Sequence, residues 1–209
     1  MLRPFMPSFL LRYNRHRWEK SQLILWQQKG CPAPPPHIVK QEAIKEYQQK
    51  YKYATLVETG TFRGDMIEAQ KGRFQKIYSI ELDAEWFEKA QKRFRRNKDV
   101  TILQGDSGKV LPIIIQQLNQ PAIFWLDGHY SGDNTALGDK QCPIYEELEA
   151  VFKGKKLDHV ILIDDARCFT GEYDYPTIEE LTGFIKERDD SYRVEVKHDI
   201  IHCVNTNSN

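Results

Sequence analysis

The side chains best placed to do chemistry in this chain are carboxylates that follow apolar runs. Asp127 closes the aromatic-rich run 122–126, and the pair Asp164-Asp165 closes the run 159–163. If those runs are neighbouring strands, three like charges share one spot, which is costly unless one is protonated or a cation neutralises them. Oxygen-only ligation suits Mg²⁺, Mn²⁺ or Ca²⁺ better than zinc, so Asp127, Asp164 and Asp165 are the candidate ligands of a hard divalent ion. His129 lies two residues beyond Asp127. An imidazole titrates near the working pH, which makes His129 a candidate general base. Metal ligand, or hydrogen-bond donor to a ligand, are its competing roles.

A second group of polar residues surrounds a glycine turn. The apolar run 54–57 stops at Glu58-Thr59-Gly60-Thr61-Phe62-Arg63-Gly64, ahead of an expected helix over 65–70. Such a strand, turn and helix start lets backbone N–H groups approach a ligand closely, and the helix N-terminus favours a carboxylate or phosphate. The spacing is G-x-x-x-G, not the G-x-G-x-x-G of dinucleotide binding, which counts against a nicotinamide dehydrogenase. About twenty residues on, Glu81 ends the run 77–82, where a carboxylate can accept both hydroxyls of a ribose; capping the next helix is its alternative. Asp106 and Ser107 follow the run 100–103 in the same way.

These residues need a scaffold, and the chain alternates apolar runs with helical patterns from residue 54 on. Strands are expected over 54–57, 77–82, 100–103, 122–126 and 159–163, with helices over 84–96, 109–118, 143–152 and 177–188, the signature of a parallel sheet wrapped by helices. Pro112 is expected near the first turn of its helix, where proline is tolerated. The runs 192–197 and 200–204, split only by His198-Asp199, form a tight antiparallel hairpin. Acids thus stand at the carboxyl ends of all five parallel strands: Glu58, Glu81, Asp106, Asp127 and Asp164. Ligands of open α/β sheets bind outside those ends.

Ahead of this unit, residues 1–36 form a basic, aromatic extension. Arg3, Arg12, Arg15, Arg17, Lys20 and Lys29 face the single acid Glu19 within 1–29, and Pro32, Pro34, Pro35 and Pro36 make a stiff linker into a helix from residue 38. Its apolar runs are too short for a membrane span or a secretory signal. Packing helix or lid, peripheral contact with an anionic membrane, and a homodimer contact are the readings open to it. Thirty basic and thirty acidic side chains balance over 209 residues, so no global charge draws the chain to nucleic acid. Cys31, Cys142, Cys168 and Cys203 form no C-x-x-C pair, which fits scattered thiols in a reducing, cytoplasmic setting.

Glu58-x-Gly60-x-x-x-Gly64 after a first strand resembles motif I of the class I S-adenosylmethionine (SAM) methyltransferases. The resemblance covers roughly residues 38–204, and the region from 37 to 209 is expected to be the methyltransferase domain. It implies an α/β, Rossmann-like sheet of five parallel strands plus a C-terminal antiparallel hairpin, with helices on both faces, in the order 3-2-1-4-5-7-6. It also implies a site. The turn Gly60–Gly64, including Phe62, would lie against the methionine end of SAM, with Thr61 and Asp65 hydrogen-bonding its carboxylate and ammonium. Glu58 would fix the turn or reach the ammonium through water, Glu81 would hold the ribose, and Asp106 with Ser107 would contact the adenine, unless Asp106 only caps the following helix.

The carboxylates Asp127, Asp164 and Asp165 are similar to the set that holds Mg²⁺ in the divalent-metal-dependent O-methyltransferases of catechol and macrocin type. There the metal binds the acceptor's adjacent oxygens, lowers the pKa of the attacking hydroxyl and aims it at the sulfonium methyl. The catechol enzymes carry a lysine three residues after the strand-4 acid, where this chain has Tyr130. Tyr130, Ser131 and Thr135 form one expected substrate wall and Tyr173 with Tyr175 the other; Arg167 either holds an anionic substrate group or pairs with an acid. Glu146 and Glu147 are expected on a solvated helix face. The function implied is a Mg²⁺-assisted O-methyltransferase acting on a small molecule, sugar or glycan; the competing reading is a noncatalytic SAM-fold or nucleotide-sugar binding module recruited by its N-terminal arm. A nucleic-acid methyltransferase is disfavoured, because no N-P-P-Y-type loop follows the fourth strand.

Overall fold

A computed structural model describes the chain over residues 8–128 and 142–207, with side chains from residue 17 onward. Two helices, α1 (Ser8–Gln28) and α2 (His37–Tyr51), precede the alternating unit β1 (Thr55–Thr59), α3 (Asp65–Gln70), β2 (Lys76–Glu81), α4 (Ala84–Phe94), β3 (Val100–Gln104), α5 (Ser107–Gln117) and β4 (Ala122–Leu126). After it come α6 (Ile144–Lys153), β5 (Val160–Ile163), α7 (Ile178–Arg188) and the hairpin β6 (Tyr192–Lys197) and β7 (Ile200–Asn205). The seven strands form one sheet in the order 3-2-1-4-5-7-6. β1 to β5 pair in parallel, and β7 runs antiparallel to both β5 and β6. This is the expected topology and strand set.

Period two explains why the central strands are apolar throughout. Along β4, Ile123 and Trp125 enter one core with α2, α3 and α4, and Phe124 and Leu126 enter the other with α5, α6 and α7. β5 repeats the pattern, Val160 and Leu162 on one face and Ile161 and Ile163 on the other. A strand covered by helices on both faces has no solvated side, so it reads as a continuous apolar run. The hairpin turn places His198 and Asp199 at positive φ (55° and 62°), as a two-residue turn matched to strand twist requires.

Helix starts follow local hydrogen bonding. Asp83 caps α4 by accepting the Trp86 N–H, and Thr177 and Glu180 form a reciprocal capping box on α7. α5 begins at Ser107 because Asp106 caps it by accepting the Gly108 N–H. Its start two residues earlier than expected places Pro112 within the helix instead of its first turn.

The N-terminal helices pack onto this unit. Trp26 of α1 joins Ile38 and Val39 of α2 in a small apolar cluster, donates its indole N–H to the Pro32 carbonyl (2.7 Å) and meets the His198 ring edge-on. Among the described residues, no helix is long and apolar enough to cross a membrane. The four cysteines are free thiols, with Cys142 and Cys203 buried. α2 is anchored by Ala43 and Ile44 in the core shared with Leu56 and Trp125. Ile44→Ala empties a fully buried position, so urea unfolding should read a loss of about 2–5 kcal/mol. A change below about 1 kcal/mol would mean that α2 is not part of the cooperative core.

Candidate active site at the carboxyl edge of the sheet

Strand register assembles the site. Thr59 of β1 pairs with Leu126 of β4, and Leu126 pairs with Ile163 of β5. The residues that follow each strand, Gly60, Asp127 and Asp164, therefore come out side by side. The ladder continues one step past the strands, with the Asp127 N–H on the Thr59 carbonyl (3.2 Å) and the Asp164 N–H on the Leu126 carbonyl (3.0 Å). Gly60 is at φ +82°, and a Cβ there would lie 2.2 Å from the Asp127 carbonyl oxygen. Only glycine allows the turn to approach β4 this closely.

Beneath the turn lies a buried polar network. Register pairs Glu58 with Ser79; the Ser79 hydroxyl donates to the Glu58 carboxylate, and the Thr61 hydroxyl meets Ser79 at 2.6 Å. Thr61 and Glu58 therefore support the turn from below, with the Thr61 side chain committed to the sheet. Burial pushes the Glu58 carboxyl up to about 8; the Ser79 hydrogen bond opposes this, and the charges of Asp127 and Glu81 add to it.

Above the turn, Glu81 accepts the Phe62 N–H (2.6 Å) on one oxygen and the Asp83 N–H (2.9 Å) on the other. Burial raises the Glu81 carboxyl above the usual range while these N–H groups pull it back. A carboxylate has about four lone-pair sites, so each oxygen retains capacity for a ligand hydroxyl. The Phe62 ring packs on Trp86 at 4.5 Å, forming an aromatic flank beside Glu81. Asp65 is half exposed and takes a hydrogen bond from Arg93 at 3.0 Å. Asp106 caps α5 and pairs with Lys109 at 3.3 Å, with Ser107 buried next to it.

The acids of β4 and β5 come together as expected: carboxylate oxygens of Asp127, Asp164 and Asp165 all lie within 4.8 Å of one another. Asp164 is 0% exposed and accepts the Asp165 N–H (2.8 Å) on one oxygen. Its other oxygen contacts Lys40 of α2, whose ammonium also lies 3.4 Å from Asp165. Burial would lower the Lys40 pKa, but Asp164, Asp165 and Asp127 together hold it above its ordinary value. Burial and the Asp165 charge push Asp164 upward against the pull of Lys40. As a donor set, three hard carboxylates at this spacing suit an octahedral oxygen-preferring divalent ion.

Arg167 turns back onto the acids, donating to Asp165 (2.7 Å) and to Asp199 of the hairpin turn. Its guanidinium is thus paired, the structural of the two roles expected for it. Tyr175 is half-buried against Phe169, and its phenol is raised by burial first and then by the nearby thiols of Cys142 and Cys168 and the acids Asp165 and Asp127; Tyr173 is exposed to solvent. His129 and Tyr130, with Ser131 and Thr135, lie outside the described residues.

Thr61, expected on the donor's polar end, is committed to Ser79, and the solvated reading of Glu147 is also corrected. Glu147 is 2% exposed, not solvated, and a Cβ on Gly128 would meet its carboxylate at 2.9 Å. The reason is helical period: Ile144, Leu148 and Val151 of α6 face the core, and position 147 lies on the same stripe. Sequence reasoning also passed over Lys40 and Trp86. Glu147 was detectable from its spacing, whereas Lys40 sits on a polar helix 124 positions from Asp164 and carries no local signal.

No family model matches the sequence, and no curated protein sequence matches it. Solved structures do. The O-methyltransferase from Bacillus cereus in complex with S-adenosylhomocysteine (SAH) superposes with a TM-score of 0.54 at 15% identity, covering 89% of this chain and 90% of that one. The O-methyltransferase TomG from Streptomyces achromogenes, involved in tomaymycin synthesis and bound to SAM, gives 0.55 at 12% identity over 90% and 89%. The 23S rRNA methyltransferase ErmE gives 0.50 at 11% identity over 78% and 67%. At these identities the likeness is one of fold: the chain has the class I methyltransferase fold, and the fold does not select the acceptor.

Because Glu58 holds its proton to about pH 8 in the fold and releases it near 4.5 in the unfolded chain, the unfolded state binds fewer protons between those values and stability falls as pH rises through that window. Glu58→Gln removes the titration. Urea unfolding at pH 5 and pH 8.5 should read a decline in the wild type larger than in Glu58→Gln by an amount on the order of 3 kcal/mol. Parallel pH dependence in the two proteins would mean that Glu58 is ionised in the fold.

Proposed function

We propose that the chain is a SAM-dependent methyltransferase, most consistent with a Mg²⁺-assisted O-methyltransferase acting on a hydroxyl of a small molecule, sugar or glycan. The observation that carries this reading is contiguity: the Gly60–Gly64 turn touches the Asp127 backbone, so a nucleoside held at Glu81 has its reactive end facing the carboxylates of Asp127, Asp164 and Asp165.

In this reading Glu81 accepts the ribose hydroxyls, Phe62 and Trp86 flank that position, and the turn admits the methionine end. Asp106 and Ser107 stand where the adenine would lie. SAM, when bound, supplies an activated methyl on sulfonium sulfur: the acceptor oxygen forms the new bond to the methyl carbon as the carbon–sulfur bond breaks, leaving SAH. A divalent ion held by Asp127, Asp164 and Asp165 would orient the acceptor and lower its hydroxyl pKa. The chain's own part is alignment and removal of the hydroxyl proton. His129, two residues beyond Asp127, is the candidate to receive that proton, which leaves Asp127 to the ion. Tyr175, half-buried on Phe169, is the candidate wall for an acceptor ring.

Calorimetry with SAM and SAH tests the donor half directly. We expect one site per chain, and Glu81→Ala should weaken SAH by roughly 10- to 100-fold, the loss expected for hydrogen bonds to a charged group. Binding of neither nucleoside would overturn the reading. For the acceptor half, Asp164→Ala should lower transfer to catechol or sugar acceptors by about 100-fold or more while SAH affinity is retained. Transfer indifferent to both that substitution and a chelator would remove the metal from the mechanism and leave methyl transfer standing.

A further inference from the structure

The proposed function gives Lys40 no role, yet its ammonium lies against two acids of the cluster, Asp164 and Asp165. Its ammonium contacts one oxygen of Asp164 and lies 3.4 Å from Asp165 Oδ1, and its side chain is 16% exposed. The other Asp164 oxygen is taken by the Asp165 N–H, and Asp165 Oδ1 also receives Arg167. Arg167 divides its charge between Asp165 and Asp199. Lys40 is therefore the principal counter-charge of Asp164 among the described residues.

The oxygens that Lys40 engages are those a divalent ion would need. Asp164 is fully buried and carries only two oxygens, one already bonded to backbone. A divalent ion and an ammonium on the same carboxylate oxygens would stand within a few ångströms of each other, where the repulsion of +2 and +1 is severe in a site with little water. We propose that Lys40 is a tethered counter-cation that closes the Asp127–Asp164–Asp165 site in the metal-free protein and is displaced when a divalent ion loads. This rests on the metal half of the function proposed above. It adds a determinant of metal affinity, and it connects loading to the N-terminal helices, because Lys40 is on α2 and α2 carries α1 through Ile38, Val39 and Trp26.

Mn²⁺ is the probe, titrated into the full chain by calorimetry and followed by electron paramagnetic resonance, for wild type, Lys40→Met and Lys40→Arg. Removing the competing charge should tighten Mn²⁺ binding by Lys40→Met about tenfold or more, whereas Lys40→Arg should not tighten it. Hydrogen exchange in the wild type gives a second readout, and saturating Mn²⁺ should speed exchange across residues 37–51. Lys40→Met takes this partner from Asp164 and Asp165, so it should melt lower than wild type without metal and recover with Mn²⁺.

Equal or weaker Mn²⁺ binding by Lys40→Met, or α2 exchange in the wild type unchanged by Mn²⁺, would overturn the inference while the metal reading stands. Lys40→Met that stays destabilised at saturating Mn²⁺ would make Lys40 a structural ion pair and overturn it too. Mn²⁺ binding to neither protein, with SAH still bound, would overturn both the inference and the metal half of the proposed function. Tighter Mn²⁺ binding by Lys40→Met in a chain that binds no SAH would support the inference and overturn the methyl-donor reading.

Discussion

The structure depends on one electrostatic constraint, the gathering of carboxylates at a single edge of a buried parallel sheet. Glu58, Glu81, Asp127, Asp164 and Asp165 emerge from adjacent strands at the same end, and like charges so placed repel unless each finds a proton, a hydrogen-bond donor or a cation. Among the described residues, Glu58, Glu81 and the Asp164–Asp165 pair are met in different ways. Glu58 is held neutral by burial over a Ser79 hydroxyl, Glu81 is met by two backbone N–H groups, and Asp164 and Asp165 are met by Lys40 and Arg167. A surface arrangement would not require these provisions, because water would screen the charges.

The provisions draw in parts of the chain that would otherwise be peripheral. α2 is fixed in the core by Ile44 and delivers Lys40; the β6–β7 turn delivers Asp199 to hold Arg167, and His198 beside it meets Trp26 of α1. The N-terminal helices and the C-terminal hairpin, opposite ends of the sequence, therefore converge on the same edge. Gly60 makes that edge continuous, since any side chain there would separate the turn from β4.

Much of this was legible in the sequence, for a physical reason. Strand identity is written in period two or in unbroken apolar runs, and a residue that ends a run is at a strand end whatever the tertiary structure. The strand set and the clustering of Asp127, Asp164 and Asp165 follow from that local code plus the short, right-handed connections of α/β sheets. What escaped was set by tertiary contact. Lys40 is one lysine among several on a polar helix, and only the packing of α2 singles it out. Thr61 looked ligand-facing from its place in the turn, but its register over Ser79 commits its hydroxyl to the sheet. Glu147 was readable from the stripe it shares with Ile144, Leu148 and Val151, but a carboxylate on an apolar stripe is read as solvated unless something at the strand ends asks for it.

The central claim is that one ligand cradle runs from Glu81 across the glycine turn to the acids of β4 and β5. A crystal structure of the full chain grown with SAH and Mn²⁺ tests it most directly. The account predicts ribose hydroxyls on the Glu81 carboxylate, the homocysteine end over Gly60–Gly64, and an anomalous Mn²⁺ peak among Asp127, Asp164 and Asp165. SAH bound away from Glu81, or a nucleoside whose sulfur faces away from Asp127, would contradict it.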